Sequence, residues 1–493
     1  MSDKKPSSQP RYLPIDRKQF FLEPLDVDRL IDDDHAARRI WRVVEQLDLS
    51  RFAADVRAVE GVAGRPSHSP QVLAAVWVYA FSKGLHSARE IARQIRYEPG
   101  LRWLTGLNTI NHHTLSDFRA GQGEALRELF EQVLAMLTMK GLLTLERVAV
   151  DGTKIRADVG KKSFTKRDKI EDHLKLAREH LDELERQESD EQVTRRQKAA
   201  RQRAAREREQ RLQEALAEIE RLRAAKKDNK DKEPQASSSD PDAAFMRLHD
   251  GGLAPAYNVQ VSVDGAHGLI ADVEVVNDPQ DSQQIIPAME RVKQRWGNYP
   301  PQALADGAYT NLKSVVEMHE RSIDYYSTWT GRNEAAGGRG AKQRHEDYQR
   351  DKFGFDAARN EMICPEGQRL AYHHKTQKKG RELYVYQAAA ADCRRCGARR
   401  KCCPSLTLKN GGRSVSFPLY DAAIEAFDKK MQREEAQAIY KKRAPLAEFP
   451  NAWIKTKLKL RRFATRGLER VQCEAIWAAM TFNLQRMFRL APT

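Results

Sequence analysis

Two short apolar runs in this chain each end in an aspartate that is followed by glycine. The first run is residues 148–150, before Asp151, and the second is residues 303–305, before Asp306. Apolar runs of this length are typical of buried strands, and an open sheet offers functional carboxylates at its strand ends. By spacing alone, an aspartate before glycine is most often a turn residue, so the pattern leaves a turn and a site both open.

A cluster near the end of the chain combines a carboxylate with cations at helical spacing. Tyr440 and Arg443 precede Glu448, and Lys455 follows Glu448 by seven residues. Seven residues make two helical turns, so the side chains of Glu448 and Lys455 are expected on nearly one face of a helix. If the two strand-end aspartates meet this helix, three carboxylates would converge and could bind a divalent metal ion.

The length and the net charge of the chain indicate which kind of partner it binds. The chain has 493 residues and a formal net charge of +16, with a sequence pI near 9.5. Because lysine and arginine occur along the whole length, we expect a polyanionic partner, with nucleic acid favoured over a membrane surface. The longest apolar run, residues 72–81, is too short to cross a bilayer of about 30 Å. We therefore expect a cytoplasmic protein without a membrane partner, whose cysteines are thiols or metal ligands rather than disulfides.

The N-terminal region has the patterns of a helical domain. Residues 1–26 are polar and contain proline, which predicts a flexible arm. Residues 27–143 follow with helical apolar spacing over residues 30–47. Ser69 and the proline after it then begin a strong helix that continues through Phe81.

Two further helix starts in this region precede arginines. Ser87 and Glu90 form a capping box for one short helix, and another start signal lies at Thr114 and Asp117. A helix, a tight turn and an arginine-bearing helix make a helix-turn-helix module. The alternative is an ordinary helical bundle with a solvated basic face. The candidate DNA-binding residues are Arg89, Arg93, Arg96 and Arg119.

Residues 161–239 form a highly charged insertion. Apolar residues recur at three-four spacing over residues 174–184 and 212–222, with a polar break near residues 189–190. This pattern predicts an antiparallel coiled-coil hairpin, with a serine-rich linker at its exit. The hairpin could grip DNA or another subunit, or it could be a solvated arm whose charges only keep it soluble.

Strand patterns flank this insertion, in residues 144–160 and 240–330. Residues 257–263 and 269–276 alternate apolar and polar positions around a turn, which predicts a hairpin. Further elements are predicted as a helix over 285–296, the strand before Asp306, a helix over 312–319 and a strand over 323–328. This order of strands and helices is typical of an α+β or α/β fold. We expect a multidomain protein with a mixed sheet and helices packed on that sheet. Residues 417–493 would complete the fold, with a helix over 468–490 packed against the sheet.

A Cys-rich insertion, residues 331–416, interrupts the strand and helix pattern. Cys393 and Cys396 form a C-x-x-C pair, with Cys402 and Cys403 close behind. One such pair with two more cysteines could hold structural zinc in tetrahedral geometry. The alternative is a set of small buried thiols. The candidate zinc ligands are Cys364, Cys393, Cys396 and Cys402.

Several of these strings together resemble one family. VAVDGT ending at Thr153, LADGAY ending at Tyr309 and the Tyr440, Arg443, Glu448 and Lys455 set are similar to the transposases of bacterial insertion sequences that use a DDE triad on an RNase H-like core. GRPSHSP from Gly64 and RWLTG from Arg102 resemble the helical domain that precedes that core in a large branch of these enzymes, and RRFATRGLER from Arg461 also resembles them. The likeness spans nearly the whole chain after residue 30.

The resemblance implies residue roles and a reaction. Asp151, Asp306 and Glu448 would bind two Mg²⁺ or Mn²⁺ ions, with Asp151 bridging both. Tyr440, Arg443 and Lys455 would contact transposon-end DNA. The enzyme would cleave DNA at the terminal inverted repeats, and the freed 3′-OH would attack a target strand. It would work as a homodimer on double-stranded DNA, and associate with the nucleoid when bound.

The helix around Glu448 departs from the commonly quoted form of this signature. Four residues separate Arg443 from Glu448, where that form has three, and Pro445 and Pro450 interrupt the helix. We therefore expect Tyr440 and Arg443 to close one helix and Glu448 to lie in the first turn of the next.

Other acidic residues compete with the proposed triad. Asp264, Asp278 and Asp281 also lie near predicted strand ends, and Glu469 lies in a basic helical region like that of Glu448. Two other functions stay open at this point. One is a catalytically inactive, transposase-derived DNA-binding protein, and the other is a phosphotransfer enzyme with Asp151 as nucleophile.

Overall fold

A computed structural model of the chain describes residues 17–18, 20, 24–54, 66–186, 195–225, 233–328, 344–356, 359–378, 381–404, 411–417 and 422–491. It is a mixed α/β structure with a helical N-terminal region. Most of the predicted flexible arm lies outside the described residues. So do the polar break predicted near residues 189–190 and the first part of the Cys-rich insertion, up to residue 343.

The described residues before the first strand are mainly helical. The Ser69 prediction is confirmed, because Ser69 Oγ accepts a hydrogen bond from the backbone N–H of Val72 at 3.3 Å. The predicted start at Thr114 is late, since Asn111 caps that helix through the N–H of His113 at 2.9 Å. The helices are α1 Ala36–Val44, α2 Ser50–Ala53, α3 Pro70–Ser82, α4 Ala88–Gln94, α5 Pro99–Leu104, α6 His112–Ala120 and α7 Gly123–Met139.

A mixed sheet forms the centre of the molecule. Its strands are β1 Arg147–Arg156, β4 Ala244–Arg247, β5 Leu253–Asp264, β6 Ile270–Val276, β7 Gln302–Ala305 and β8 Asp324–Tyr326, while β2 Phe164–Thr165 and β3 Ala236–Ser237 pair separately. The order is β4-β5-β1-β7-β8, with β6 also paired to β5. Strand β5 runs antiparallel to β1 and β6, whereas β1, β7 and β8 are parallel. This arrangement is consistent with the predicted RNase H-like core, and it confirms the predicted hairpin.

The charged insertion contains two long helices, α8 Arg167–Arg186 and α9 Arg195–Ala225. Ion pairs join Arg178 to Glu209 and Arg206 to Glu185, so the two helices run antiparallel. Ile170, Leu174 and Ala177 pack against Leu212, Ala215 and Ile219. The structure therefore has an antiparallel helical pair at the predicted place, and a supercoiled geometry for it stays a prediction.

Two helices follow β6 and β7 and cover one face of the sheet, at the predicted positions. They are α10 Ile285–Trp296 and α11 Leu312–Glu320. Their buried side chains share a hydrophobic cluster with Val148 and Val150 of β1. The apolar run before Asp151 is therefore a buried strand, as its composition predicts.

The Cys-rich insertion has a sheet of its own, which the sequence patterns did not indicate. Strands β9 Gly354–Asp356, β10 Glu361–Ile363, β11 Arg369–Lys378, β12 Arg381–Ala388 and β13 Ser414–Phe417 form an antiparallel sheet in the order β13-β12-β11-β10-β9. Two short helices, α12 Ala390–Arg395 and α13 Arg399–Cys402, connect β12 to β13. Phe353, Leu370 and Tyr386 belong to its small core.

Four helices complete the described chain: α14 Ala422–Met431, α15 Glu434–Lys441, α16 Arg443–Thr456 and α17 Leu468–Leu490. The predicted break between Tyr440 and Glu448 is confirmed, because Tyr440 lies in α15 and Glu448 in α16. Arg443, however, begins the second helix instead of closing the first, and Glu448 lies beyond the first turn. Pro445 is tolerated near the start of α16, where backbone N–H groups need no helical partner.

Helix α17 joins the N-terminal helices and the sheet in one hydrophobic core. Its Trp477 ring lies 6.5 Å from that of Trp77 in α3, centroid to centroid. On its other side, Gln472 and Asn483 accept backbone N–H groups of edge strand β6 at 2.7 and 2.8 Å. The predicted packing of this helix on the sheet is confirmed, and the core is continuous across the predicted domain boundary at residue 143.

Among the described helices, none combines the length and apolar character that a membrane span requires.

Candidate active site

Asp151 and Asp306 lie side by side at the centre of the sheet. Val150 of β1 pairs in parallel with Ala305 of β7, so the two aspartates that follow lie at the same level of adjacent strands. Both side chains are partly buried. Burial raises the pKa of Asp151, a hydrogen bond from Asn451 lowers it, and the neighbouring Asp306 carboxylate raises it again. The structure thus holds two carboxylates within electrostatic reach of each other.

The turn after β7 fixes the position of Asp306. Its Oδ1 accepts the backbone N–H of Ala308 at 2.7 Å, which caps a single turn of 3₁₀ helix over Gly307–Tyr309. Its backbone carbonyl accepts a hydrogen bond from Ser327 Oγ at 3.0 Å. One carboxylate oxygen is therefore used by the turn.

Helix α16 brings the residues of the late cluster to the sheet. It packs against β1 and β5, and Asn451 Nδ2 donates to Asp151 Oδ2 at 3.0 Å. Glu448 precedes Asn451 by one helical turn, so both belong to the side of the helix near Asp151. The side chain of Glu448 is 63% exposed. The helix that carries Glu448 thus contacts Asp151.

Three further residues of the cluster lie on this helix or in the helix just before it. Arg443 Nη2 lies 3.5 Å from Glu448 Oε1, and its own side chain is only 15% exposed. Lys455 is near enough to Asp151 for the carboxylate to raise its pKa, although burial has the larger, opposite effect and the net shift is downward. The hydroxyl of Tyr440 lies 3.3 Å from Thr328 Oγ1, beyond the end of β8.

A buried polar network that the sequence analysis missed lies under the aspartates. Asp281 is one of the acids set aside as competitors, yet Lys154 Nζ donates to both of its oxygens at 2.8 and 3.0 Å. Gln260 Nε2 donates to Asp281 at 2.9 Å, while Gln260 Oε1 accepts the hydroxyl of Tyr309 at 2.7 Å. The network connects β1, just beyond Asp151, with the turn that begins at Asp306.

Gly152 is required by this network. A Cβ atom at this position would lie 2.6 Å from Gln260 Nε2 and 2.7 Å from Asp281 Oδ1. The glycine after Asp151 is therefore needed for close packing within the sheet, and the turn interpretation of this Asp-Gly pair is wrong. Lys154, a cation in an otherwise buried strand, was the signal in the sequence that could have indicated the network.

The donor atoms of this site suit a divalent metal only in part. Neighbouring carboxylates are hard oxygen ligands, and the mutual repulsion of Asp151 and Asp306 would be relieved by a cation. Among the residues that the structure describes, however, no three histidine, cysteine or acidic side chains form a group that could hold a metal ion. The two aspartates fit such an ion, and Glu448 does not complete the set in this arrangement.

Two family models match the chain. Residues 363–488 match one described as a transposase DDE domain, and residues 25–121 match one described as a transposase domain. Both matches are to transposase domains, and together they support the resemblance to an insertion-sequence DDE transposase. The first match includes α16 with Glu448, and the second ends in α6. No curated protein and no solved structure matches the chain.

The arginines of the N-terminal helical region differ in their surroundings. Arg89, Arg93 and Arg96 are exposed on and just after α4, although Arg93 also pairs with Glu90 at 2.6 Å. Helices α4 and α6 contact each other, and a helix-turn-helix assignment for them stays a prediction.

Arg119 differs from these three, because it is 4% exposed. It donates to the backbone carbonyl of His86 at 2.6 Å and lies 3.7 Å from Glu474. Its guanidinium is thus committed to the core, and the structure corrects the sequence-based prediction that Arg119 is available to DNA.

The six cysteines of the chain are all free thiols in this structure. The four candidate zinc ligands line one small cavity, where Cys364 Sγ and Cys393 Sγ accept backbone N–H groups of Gln368 and Arg413. Since the described residues contain no metal-holding group, nothing in the structure supports zinc there. Cys473 is 2% exposed, which confirms the predicted buried thiol.

Proposed function

We propose that this transposase binds the ends of an insertion sequence and catalyses metal-dependent strand cleavage, followed by strand transfer into target DNA. The observation that supports this most is the adjacency of Asp151 and Asp306 under a helix that carries Glu448. These acids come from segments about 150 residues apart, and the fold brings the two aspartates together on adjacent inner strands of the sheet. The family matches independently support a transposase function.

Asp151 and Asp306 would hold Mg²⁺ or Mn²⁺, with Glu448 as the third carboxylate. Such ions, when bound, supply an activated water and stabilise the leaving oxygen of an in-line phosphoryl displacement. The protein's own residues orient the carboxylates, through the turn at Asp306 and the Asn451 hydrogen bond to Asp151. Binding of Glu448 beside the aspartates requires its carboxylate to leave Arg443.

Cations beside the acids would position the DNA backbone. Arg443 and Lys455 lie on α16 near the carboxylates and could pair with phosphates next to the scissile bond. The hydroxyl of Tyr440, in α15, lies beside Thr328 beyond the end of β8 and could contact a displaced nucleotide. Arg89, Arg93 and Arg96 form an exposed group that could contact the duplex outside the cleavage site.

The partners follow from the reaction. Transposition uses double-stranded DNA twice, first as transposon end and then as target. Two ends must be joined to one target, so we propose a homodimer on DNA. The net charge of +16 is favourable for both steps, because the DNA backbone is a dense polyanion.

A strand-cleavage assay tests this proposal. Linear DNA that carries candidate ends is incubated with Mg²⁺ and either the parent protein or Asp151→Asn. We expect cleavage by the parent only, with equal DNA binding by both. Binding without cleavage by the parent would indicate an inactive DNA-binding relative, and a phosphoenzyme would indicate phosphotransfer with Asp151 as nucleophile.

A further inference from the structure

The amide side chain of Asn451 is buried beside Asp151 and only half satisfied. The residue is 7% exposed, and its Nδ2 donates to Asp151 Oδ2 at 3.0 Å. Its Oδ1 is buried without a hydrogen-bond partner among the described residues. An unpaired buried carbonyl oxygen is costly and uncommon in native proteins, so this atom indicates a partner that the protein acquires.

The position of the amide suggests what that partner is. Asn451 lies one helical turn after Glu448 and contacts the aspartate that lies beside Asp306. The amide that carries the unpaired oxygen is therefore in direct contact with Asp151, which lies within electrostatic reach of Asp306. A cation would satisfy all of these groups, and amide oxygens are established ligands for hard divalent ions.

We propose that Asn451 is a further residue of the metal site, with its carbonyl oxygen serving as a neutral ligand to the ion that Asp151 and Asp306 bind. In the cation-free protein, the N–H group of the same amide holds Asp151 in place. This inference rests on the proposed function, because it requires a cation at the two aspartates. It explains how the site keeps its carboxylates together when the third acid, Glu448, is paired with Arg443.

The test is the increase in melting temperature of the DNA-free protein as Mn²⁺ is added. For Asn451→Ala we expect half of the increase to require about 10–100-fold more Mn²⁺ than in the parent. Only a neutral oxygen is lost while both charged ligands remain, so the effect should be close to that of losing a supporting residue. Asn451→Asp retains an oxygen and adds a charge, so it should keep the Mn²⁺ response. Thr456→Ala is the matched control, because Thr456 is exposed on the same helix and its hydroxyl donates to the carbonyl of Ala452.

The Asp151→Asn variant distinguishes failure of the proposed role of Asn451 from failure of the proposed metal site. If Asp151→Asn loses the Mn²⁺ response while Asn451→Ala keeps that of the parent, the role of Asn451 is refuted and the metal site stands. If Asp151→Asn also responds like the parent, both proposals are refuted. Binding of each variant to end DNA in EDTA checks that the variant is folded. If Asn451→Ala does not fold, Asn451→Asp replaces it in the Mn²⁺ titration.

Discussion

The guanidinium of Arg443 lies 3.5 Å from the carboxylate of Glu448 within the same helix, and the arginine is much the more buried partner. This ion pair keeps the carboxylate that we propose as the third metal ligand beside a cation. In the proposed reaction, a phosphate would replace the carboxylate as partner of Arg443, and Glu448 would become available to metal. Substrate binding and completion of the site would then be coupled.

Glu448→Gln tests the choice of third acid. We expect at least about a 100-fold loss of end cleavage, because the loss of a metal ligand should exceed that of a supporting residue. Binding to DNA should be retained. The matched control is Glu469→Gln, at an exposed position in the first turn of α17, which should cleave like the parent. Equal losses in the two variants would contradict the assignment.

Tyr309→Phe tests the polar network under the aspartates. It removes only the hydroxyl that donates to Gln260, and one hydrogen bond is worth about 0.5–1.5 kcal/mol. We expect cleavage to fall by roughly 2- to 12-fold on that scale, with unchanged DNA binding. Tyr386→Phe removes a comparable hydroxyl, bonded to Asn360 in the Cys-rich insertion, and should not affect cleavage. Equal cleavage by Tyr309→Phe and Tyr386→Phe would show that the network has no influence on the site, and would contradict this prediction.

Arg119→Met tests the buried ion pair that connects α6 to α17. It leaves Glu474, which is fully buried, without its cation. We expect a loss of about 3–5 kcal/mol in the free energy of unfolding, measured by urea denaturation. The double variant Arg119→Met with Glu474→Gln should recover part of this loss. Arg93→Met, which removes an exposed pair, should cost less than about 1 kcal/mol. Similar losses for Arg119→Met and Arg93→Met would refute the structural role of Arg119.

His86 gives the protein a stability that depends on pH. Burial lowers the pKa of His86 to about 4, from an ordinary value of 6.5. The unfolded chain therefore takes up this proton near pH 6.5, whereas the folded chain does so only near pH 4. Stability from this group is present above pH 6.5 and is lost as the pH falls towards 4, by roughly 3 kcal/mol. His86→Gln should show a shallower decline of unfolding free energy over this interval, and an unchanged decline would contradict the burial effect.

The parts of the fold that the sequence predicted are those where local pattern and tertiary packing agree. The strand before Asp151 is apolar because it is buried between layers, and the helix from Pro70 has a serine cap and a continuous apolar run. The helix over residues 468–490 has apolar spacing and the same bounds in the structure. In these segments, the nearest residues in sequence contain the necessary information.

The parts that the sequence did not predict depend on contacts between distant residues. The sheet of the Cys-rich insertion consists largely of exposed, polar strands, so its alternation of apolar residues is weak. Arg119 has the composition of a surface residue, and only the distant Glu474 explains its burial. Likewise, Asn451 has no local signal for its role, because its partner Asp151 lies 300 residues earlier in the chain.

The central claim is that Asp151, Asp306 and Glu448 share one metal site. Fe²⁺ bound in place of Mg²⁺, with ascorbate and peroxide, cleaves the polypeptide near the residues that hold it. On a complex with end DNA, we predict cuts near residues 151, 306 and 448, all suppressed by excess Mg²⁺ and absent in Asp151→Asn. Cuts confined to other segments, or cuts at these three that persist in Asp151→Asn, would contradict the claim.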